Sequence, residues 1–509
     1  MEAEFTFRIG DVITIILYFA GIILLGVWTT SKIKQTEDYF VGGRAMPGWA
    51  VGLSMLGTAI SSVTFLAYPG SAYEGNWSRL VQGLMLPVAA FIGITFFVVY
   101  YRRSLFVSAY QYFEKRFGGW GRSYASLIYL LGQIFRMGTV LFLLSVAIEI
   151  LTKWNVLTII IIVGILVTLY TVLGGLEAVI WTDVMQTFVL VLGGIVTIVI
   201  VFFKVKGGMF EVLNIASSAG KFDLTTSWEF DLTRDTFWIF AFSGIVGNIQ
   251  EFSTDQIKIQ RYAAPSTDGG AKLASWTVGL GCIPIWSLFM FVGTCLWVFY
   301  QVYPQYLQAG LRPDQVFPHF ILTQLPVGVG GLVIAAVMAA AMSTIDSSLN
   351  ASATVISVDW YKRFFVKNRD DAHYLGMARI ITLVLGVLMI VAACLLTRLK
   401  MTTFLDIGFF LGAVFAGGLG GLFLLGFFFK RTNGQGAMVG VMVGVLVILW
   451  LTMSHLNMLP TSISSSIHPF IINVIGNLTV FIVGYVASLF WPAPTEQQLK
   501  RATWWTREG

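Results

Sequence analysis

The chain has 509 residues, of which 57% are hydrophobic and only 11% charged. Soluble domains carry about 25% charged residues, so a chain this apolar lacks the polar surface to close over a soluble core. Its net charge of +6 does not argue for a nucleic-acid partner, because the basic residues sit in short loops and form neither a stripe nor a tail.

The amino-terminal stretch Met1–Asp11 carries Glu2, Glu4 and a single Arg8, whereas a secretory signal begins basic. The run Val12–Trp28 therefore reads as a retained first membrane helix. A span needs about 20 apolar residues at 1.5 Å rise each. Thirteen segments qualify: 10–29, 48–73, 80–101, 123–150, 154–174, 181–203, 235–255, 276–301, 328–359, 376–397, 403–429, 436–455 and 469–491. The expected fold class is an all-α polytopic membrane protein in one integrated domain, where length alone would suggest about three soluble ones.

Lys and Arg divide 20 to 10 between the two sets of alternating loops, the larger set beginning after the first helix. The positive-inside rule then predicts a multi-pass protein of the cell membrane with its amino terminus outside and its carboxyl terminus in the cytoplasm. Cys282, Cys295 and Cys394 fall in or beside apolar segments and read as small buried hydrophobes. His319, His373, His455 and His468 are too scattered for a local metal motif. No nucleotide-phosphate loop appears, which argues against direct ATP drive. The terminal Thr503–Arg507, with Trp504 and Trp505, reads either as an interfacial anchor or as a loose tail.

Two segments mix helix-weakening and polar residues at membrane depth. Segment 48–73 holds Gly57-Thr58-Ala59-Ile60-Ser61-Ser62-Val63-Thr64, then Pro69-Gly70; segment 235–255 holds Ser243 through Glu251. They are the second and seventh spans and open two successive groups of five. Interrupted helices at matching places in two halves point to a transporter site between inverted repeats, because unwound backbone is tolerated in a bilayer only where it is buried or lines a cavity. The plainer reading is that Gly and Ser permit close helix packing.

A charge at the bilayer centre costs at least about 2.5–3.5 kcal/mol on insertion scales, so buried ionisable residues invite a functional role. Asp183 stands in Trp181-Thr182-Asp183-Val184, where capping a helix is the plainer role. Asp346 lies in Ala340-Ala341-Met342-Ser343-Thr344-Ile345-Asp346-Ser347, where Ser343 and Ser347 share a face and a carboxylate joins them in an oxygen-rich cation site. Arg136 sits mid-span in Leu131-Gly132-Gln133-Ile134-Phe135-Arg136. Its planar fork suits a carboxylate, either a protein group such as Asp346 or Glu149, or an anionic solute. No nucleophile–base constellation stands out, so an enzyme is not expected.

Five ordered motifs then carry a resemblance across about Asp38 to Arg431. They are Asp38-Tyr39-Phe40-Val41-Gly42-Gly43-Arg44, Gly174-Gly175-Leu176-Glu177 through Gln186, Gln256-Ile257-Lys258-Ile259-Gln260-Arg261, Pro313-Asp314-Gln315-Val316-Phe317-Pro318, and Ser343–Asn350. The chain resembles the sodium/solute symporter family. The resemblance implies a leucine-transporter-type fold of two inverted five-helix repeats with broken first helices. It divides the chain into an external amino terminus, first helix and basic loop (1–47), a first repeat (48–205), an external loop (206–234), a second repeat (235–430), and two closing helices with a cytoplasmic tail (431–509).

By matching position, the family's shared Na⁺ site would use carbonyls of Gly57, Ile60 and Ala340 with hydroxyls of Ser343 and Thr344. A second Na⁺ found in some relatives would use Asp183, Ser343, Asp346 and Ser347. Arg136 resembles the carboxylate-binding arginine of bacterial sialic acid symporters, and Ser61 and Thr64 match solute-side positions there. Ala59 stands where those proteins have a hydroxyl, and Gly83 rather than Gln82 is in register. Asn248 matches a sugar-contacting asparagine of bacterial sugar symporters, in which an aromatic residue stands at the position of Glu251. The implied function is Na⁺-coupled import of a small polar solute by a monomer in the lipid bilayer. The solute pocket would be Ser61, Thr64, Gln82, Gln133, Arg136 and Asn248, suited to a sugar bearing a carboxylate such as a sialic acid. Competing readings are a symporter of a neutral sugar or inositol, with Arg136 paired internally, and a channel or transporter-like sensor, against which the lack of a long output domain counts.

Overall fold

The computed structural model describes residues 8–30, 35–152, 154–225, 227–398 and 417–507. No strand occurs among them; only Met46 and Pro265 form an isolated bridge. The helices that place the site are α1 (Ile9–Thr30), α2 (Gly48–Ala59), α3 (Tyr68–Glu74), α4 (Leu80–Ser104), α5 (Gln111–Phe117), α6 (Gly119–Thr152) and α7 (Val156–Lys204). Then follow α8 (Gly208–Ser218), α9 (Phe237–Thr254), α10 (Gln256–Ala263), α11 (Asp268–Val302), α12 (Pro313–Gln324), α13 (Val329–Val355), α14 (Asp371–Leu396), α15 (Leu419–Phe428), α16 (Gly434–His455) and α17 (Pro469–Ser488). Among the described residues, nine helices are long and apolar enough to cross a bilayer, ten when α2 and its bent continuation count as one span. The first part of the expected span 403–429 lies outside the described residues.

The two expected breaks come out differently. In segment 48–73, α2 ends where Ile60 turns extended (φ −107, ψ 95), and the chain restarts through a wide turn at Val63–Ala67 into α3, bent by 57°. Ser61 Oγ accepts the freed Val63 amide at 3.2 Å. Gly57 is not itself the break: a Cβ there would meet Thr187 Oγ1 at 2.4 Å, so it serves a close crossing with α7. In segment 235–255 the expected interruption at Ser243–Glu251 is absent. Helix α9 runs unbroken from Phe237 to Thr254, and the break falls at Asp255, whose carboxylate accepts the Ile257 and Lys258 amides (2.8 and 3.2 Å) and starts α10. Gly244 permits packing, since its added Cβ would lie 2.4 Å from the Gln82 carbonyl oxygen. The close-packing reading therefore holds for the glycines, and a helix cap sets the break.

Segments 154–174 and 181–203 run together as α7, redirected only at Gly175 (φ 54, ψ −163). That conformation excludes a side chain, and the backbone of Tyr39 lies 3.0 Å from where a Cβ would stand.

Helix α13 is buried on nearly every face, from Gly330 to Val355 apart from Leu332. A helix covered all round belongs to a core, and its run of alanines lets neighbours approach closely. Its amino end is pinned by Asp11 of α1, which accepts from the Gly328 and Gly331 amides at 2.7 and 2.8 Å. The carboxyl tail is not loose: Trp504 packs on Phe96 with ring centroids 4.7 Å apart, and Trp505 Nε1 donates to the Phe428 carbonyl at 2.8 Å. Cys282 and Cys295 are buried, Cys394 is partly so, and all three are free thiols.

Candidate functional site

The break after α2 faces the middle of α13. Ser343 Oγ donates to the carbonyls of Gly57 (3.1 Å) and Ala340 (3.3 Å), and Thr344 Oγ1 to those of Thr58 (3.2 Å) and Ala340 (3.4 Å). Gly57, Ala340, Ser343 and Thr344 thus converge, while Ile60 stands buried at the break itself. Oxygens at these spacings resemble neighbouring vertices around a hard cation held at about 2.3–2.6 Å, so a hydroxyl and carbonyl bonded this way can exchange their hydrogen bond for a shared cation.

One turn along α13 lies a second oxygen cluster. Asp183, on α7, is fully buried and caps nothing. Its Oδ2 accepts from Ser54 Oγ (2.5 Å), Thr58 Oγ1 (3.2 Å) and Arg261 Nη2 (2.9 Å), with Ser347 Oγ at 3.5 Å. Arg261 also donates to Ser347 Oγ (2.7 Å), Thr58 Oγ1 (3.1 Å) and Ser54 Oγ (3.0 Å). Asp183 Oδ1 is buried with no hydrogen-bond partner. Ser343 belongs to the first cluster. Asp346 turns to Tyr170, whose hydroxyl donates at 2.9 Å, and to the Ser347 amide at 2.6 Å. The sequence reading missed Ser54, Thr58, Tyr170 and Arg261. Arg261 was visible inside a quoted motif, but nothing local shows that it reaches α7.

The solute-side candidates fall into three groups. Ser61 and Thr64 sit at the first break, and Ser62 Oγ donates to the Val140 carbonyl of α6 at 3.3 Å. Arg136 and Gln133 follow on that helix, one and two turns nearer its start. Gln133 is buried, and its Oε1 lacks a partner. Gln82 donates to Ser243 Oγ, and Asn248 donates to the Gln82 carbonyl, both at 3.4 Å.

Arg136 is half-buried and makes no hydrogen bond or ion pair among the described residues. Neither expected protein partner takes it. Asp346 is bound as above, and Glu149 lies 13 residues along the same helix, about 20 Å at 1.5 Å per residue. Its charge does reach Glu251 and Asp255 of the second-repeat opening. Glu251 pairs with Lys258 at 2.7 Å.

A family model described as the sodium:solute symporter family matches residues 39–444. The chain is similar to a sodium/sialic acid symporter, SiaT, of Proteus mirabilis, with 33% identity over 94% of each chain. It is likewise similar to a sodium/sialic acid symporter, NanT, of Aliivibrio fischeri, with 32% identity over 96% of this chain and 94% of that one. Among solved structures it is similar to a Na⁺-coupled sialic acid symporter in a substrate-bound outward-open state, with a TM-score of 0.89 and 30% identity over 97% of this chain and all of that one. The all-helical, leucine-transporter-type fold follows from that likeness.

Proposed function

The chain belongs to the sodium:solute symporter family, and on that footing we propose that the solute it carries with Na⁺ is a sugar bearing a carboxylate, a sialic acid in the first place. Coupled Na⁺ transport by a multi-pass membrane protein is the family's activity. The finer assignment rests on one observation above all: Arg136, at membrane depth, has no hydrogen-bonding protein partner among the described residues. A guanidinium there calls for an anion, and a carboxylate fits its fork. Ser61, Thr64, Gln82, Gln133 and Asn248 supply neutral polar groups for hydroxyls. That the similar proteins of Proteus mirabilis and Aliivibrio fischeri are sodium/sialic acid symporters supports the same class.

In this reading Na⁺, a co-substrate, is held by Gly57, Ile60, Ala340, Ser343 and Thr344. Asp183 and Ser347, with Asp346 and Ser343 near, bear on a second ion. Na⁺ bound across the break ties α2 to α13, completes the solute pocket, and couples the two binding events by about 1–3 kcal/mol. The chain works as a monomer with an external amino terminus and a cytoplasmic tail. The repeats run 48–205 and 235–430, between the leading segment 1–47, the external loop 206–234 and the closing segment 431–509.

One observation favours a neutral sugar or inositol instead: Glu251 lies within electrostatic reach of Arg136 and is available as an internal counter-ion. A binding screen of sialic acids, uronic acids, neutral hexoses and inositols in Na⁺ separates the two. The expected result is that an acid binds best, that Arg136→Ala abolishes its binding, and that Arg136→Lys recovers little because a lysine lacks the planar fork. A neutral hexose that binds best and tolerates Arg136→Ala overturns the acid.

A further inference from the structure

Three of the sequence motifs meet at a point that neither oxygen cluster nor the solute side uses. Phe40 comes from Asp38–Arg44, Gln260 from Gln256–Arg261 and Asn350 from Ser343–Asn350. Gln260 Nε2 lies against the Phe40 carbonyl (3.0 Å), Thr354 Oγ1 (2.7 Å) and Asn350 Oδ1 (3.4 Å). All four residues are buried. The Phe40 carbonyl is left to accept because it lies in the last turn of the short helix Thr36–Val41, where carbonyls lack helical partners. The Thr354 hydroxyl hydrogen is already donated to the Asn350 carbonyl at 2.9 Å, so its lone pairs face the amide. Three acceptors thus surround a nitrogen that carries two hydrogens. On the other side of the same amide, Gln260 Oε1 is buried and has no partner.

Asn350 and Thr354 stand on the face of α13 that bears Ser343 and Ser347, Asn350 about 10 Å beyond Ser343 at 1.5 Å per residue. We propose that Gln260, Asn350, Thr354 and the Phe40 carbonyl form a further Na⁺ site, a stepping place between the Ser343–Thr344 cluster and the carboxyl end of α13. The proposal rests on Na⁺ being held at that cluster; in the orientation given above, the carboxyl end of α13 is cytoplasmic. The Gln260 amide is the gate. Its oxygen and nitrogen are nearly the same size, so turning the amide puts Oε1 where Nε2 stands. Four oxygens then lie at the spacing of neighbouring vertices around a hard cation. Without the ion, the amide nitrogen bridges the same oxygens. With it, the nitrogen is turned to where no acceptor waits, and no carboxylate contributes. The site is therefore weak, as a place that an ion must also leave has to be.

The test uses the full chain, with NaCl, KCl and choline chloride as probes. Gln260→Glu sets a carboxylate oxygen against the Phe40 and Asn350 oxygens, an arrangement that a bound cation relieves. Unfolding in detergent should then show a Na⁺ response that the parent lacks, at about tenfold lower concentration, since a charged ligand contributes more than a neutral one. K⁺ and choline should not produce it. Net uptake in proteoliposomes should fall about tenfold, because the ion is held where it should pass. Adding Thr354→Val, which removes one oxygen, abolishes the new response; adding Thr354→Ser, which keeps the hydroxyl, retains it. Asn350→Asp approaches the site from its other side and gives the same Na⁺ response, should Gln260→Glu fail to fold. An amide that merely pins α10 to α13 predicts equal loss of stability in all three salts, or a Na⁺ response that Thr354→Val leaves intact; either result overturns the proposal. Failure of the first cluster is distinct: it is read in the parent's own Na⁺ titration with Ser343→Ala, not in the Gln260→Glu response.

Discussion

Arg261 Nη2 donates to Asp183 Oδ2 across 2.9 Å, and both side chains are fully buried. The pair joins α10, which follows the second break, to the second half of α7, with Ser54, Thr58 and Ser347 gathered around it. Removing one member strands a charge, which typically costs about 3–5 kcal/mol. Arg261→Ala is therefore expected to lower the thermal unfolding temperature sharply. Arg261→Met combined with Asp183→Leu should recover much of that stability, because both charges go together, without recovering the Na⁺ response. Unfolding in detergent, with and without Na⁺, measures both.

Ser343→Ala and Thr344→Ala each remove one oxygen from the cluster around Gly57 and Ala340. A contact to a charged group is worth about 1.5–3 kcal/mol, so the Na⁺ concentration for half-maximal uptake should rise about tenfold or more in each. Solute affinity at saturating Na⁺ should stay near that of the parent. Uptake titrated against Na⁺ reads the shift; an unchanged titration in both variants removes the assignment.

Gly175→Ala tests the junction of two sequence motifs. The residue combines φ 54 with a Tyr39 backbone 3.0 Å from the would-be Cβ. A positive φ with ψ near 180° is essentially confined to glycine and costs a side chain about 1–3 kcal/mol, and the steric contact adds to it. The variant should unfold at lower temperature, whereas Gly376→Ala, where a Cβ meets nothing within 4 Å, should not.

Near the start of α9, His468 Nε2 stands 3.0 Å from Asp235 Oδ1, and His468 Nδ1 accepts the Phe470 amide, which leaves the proton on Nε2 even when the ring is neutral. That hydrogen bond first, and the charge of Arg79 second, hold the Asp235 carboxyl below its ordinary range. A depressed carboxyl adds stability above its unfolded value, about 3.9, and loses it as pH falls through the folded value. His468→Ala should thus melt lower than the parent at pH 7, and the gap should narrow as pH falls below about 4. Melting curves from pH 7 to pH 3 check the trend; a gap independent of pH contradicts it.

Much of this was legible before the fold. An apolar first helix, an interruption somewhere in segment 48–73 and the shared spacing of Ser343 and Ser347 followed from apolar length, composition and helical period, which are local properties, whereas Thr344 entered only through the family resemblance. The second break was legible only roughly. The interruption expected at Ser243–Glu251 does not occur: the helix runs on to Thr254, its Gly244 serves packing against Gln82, and Asp255, a capping residue, makes the turn.

What the sequence by itself determined is the class of molecule: a chain too apolar for water, with hydroxyls, carboxylates and one arginine at depths where each must find a partner. Which partner each finds was decided by tertiary structure. Asp183 meets Arg261, 78 positions away, and Asp346 meets Tyr170, 176 positions away, while Arg136 makes no hydrogen bond or ion pair among the described residues. In a low-dielectric bilayer the need for compensation is strong and acts over long distance, so the residue type announces that need. The pairing itself depends on which helix faces cross, and no local pattern encodes that.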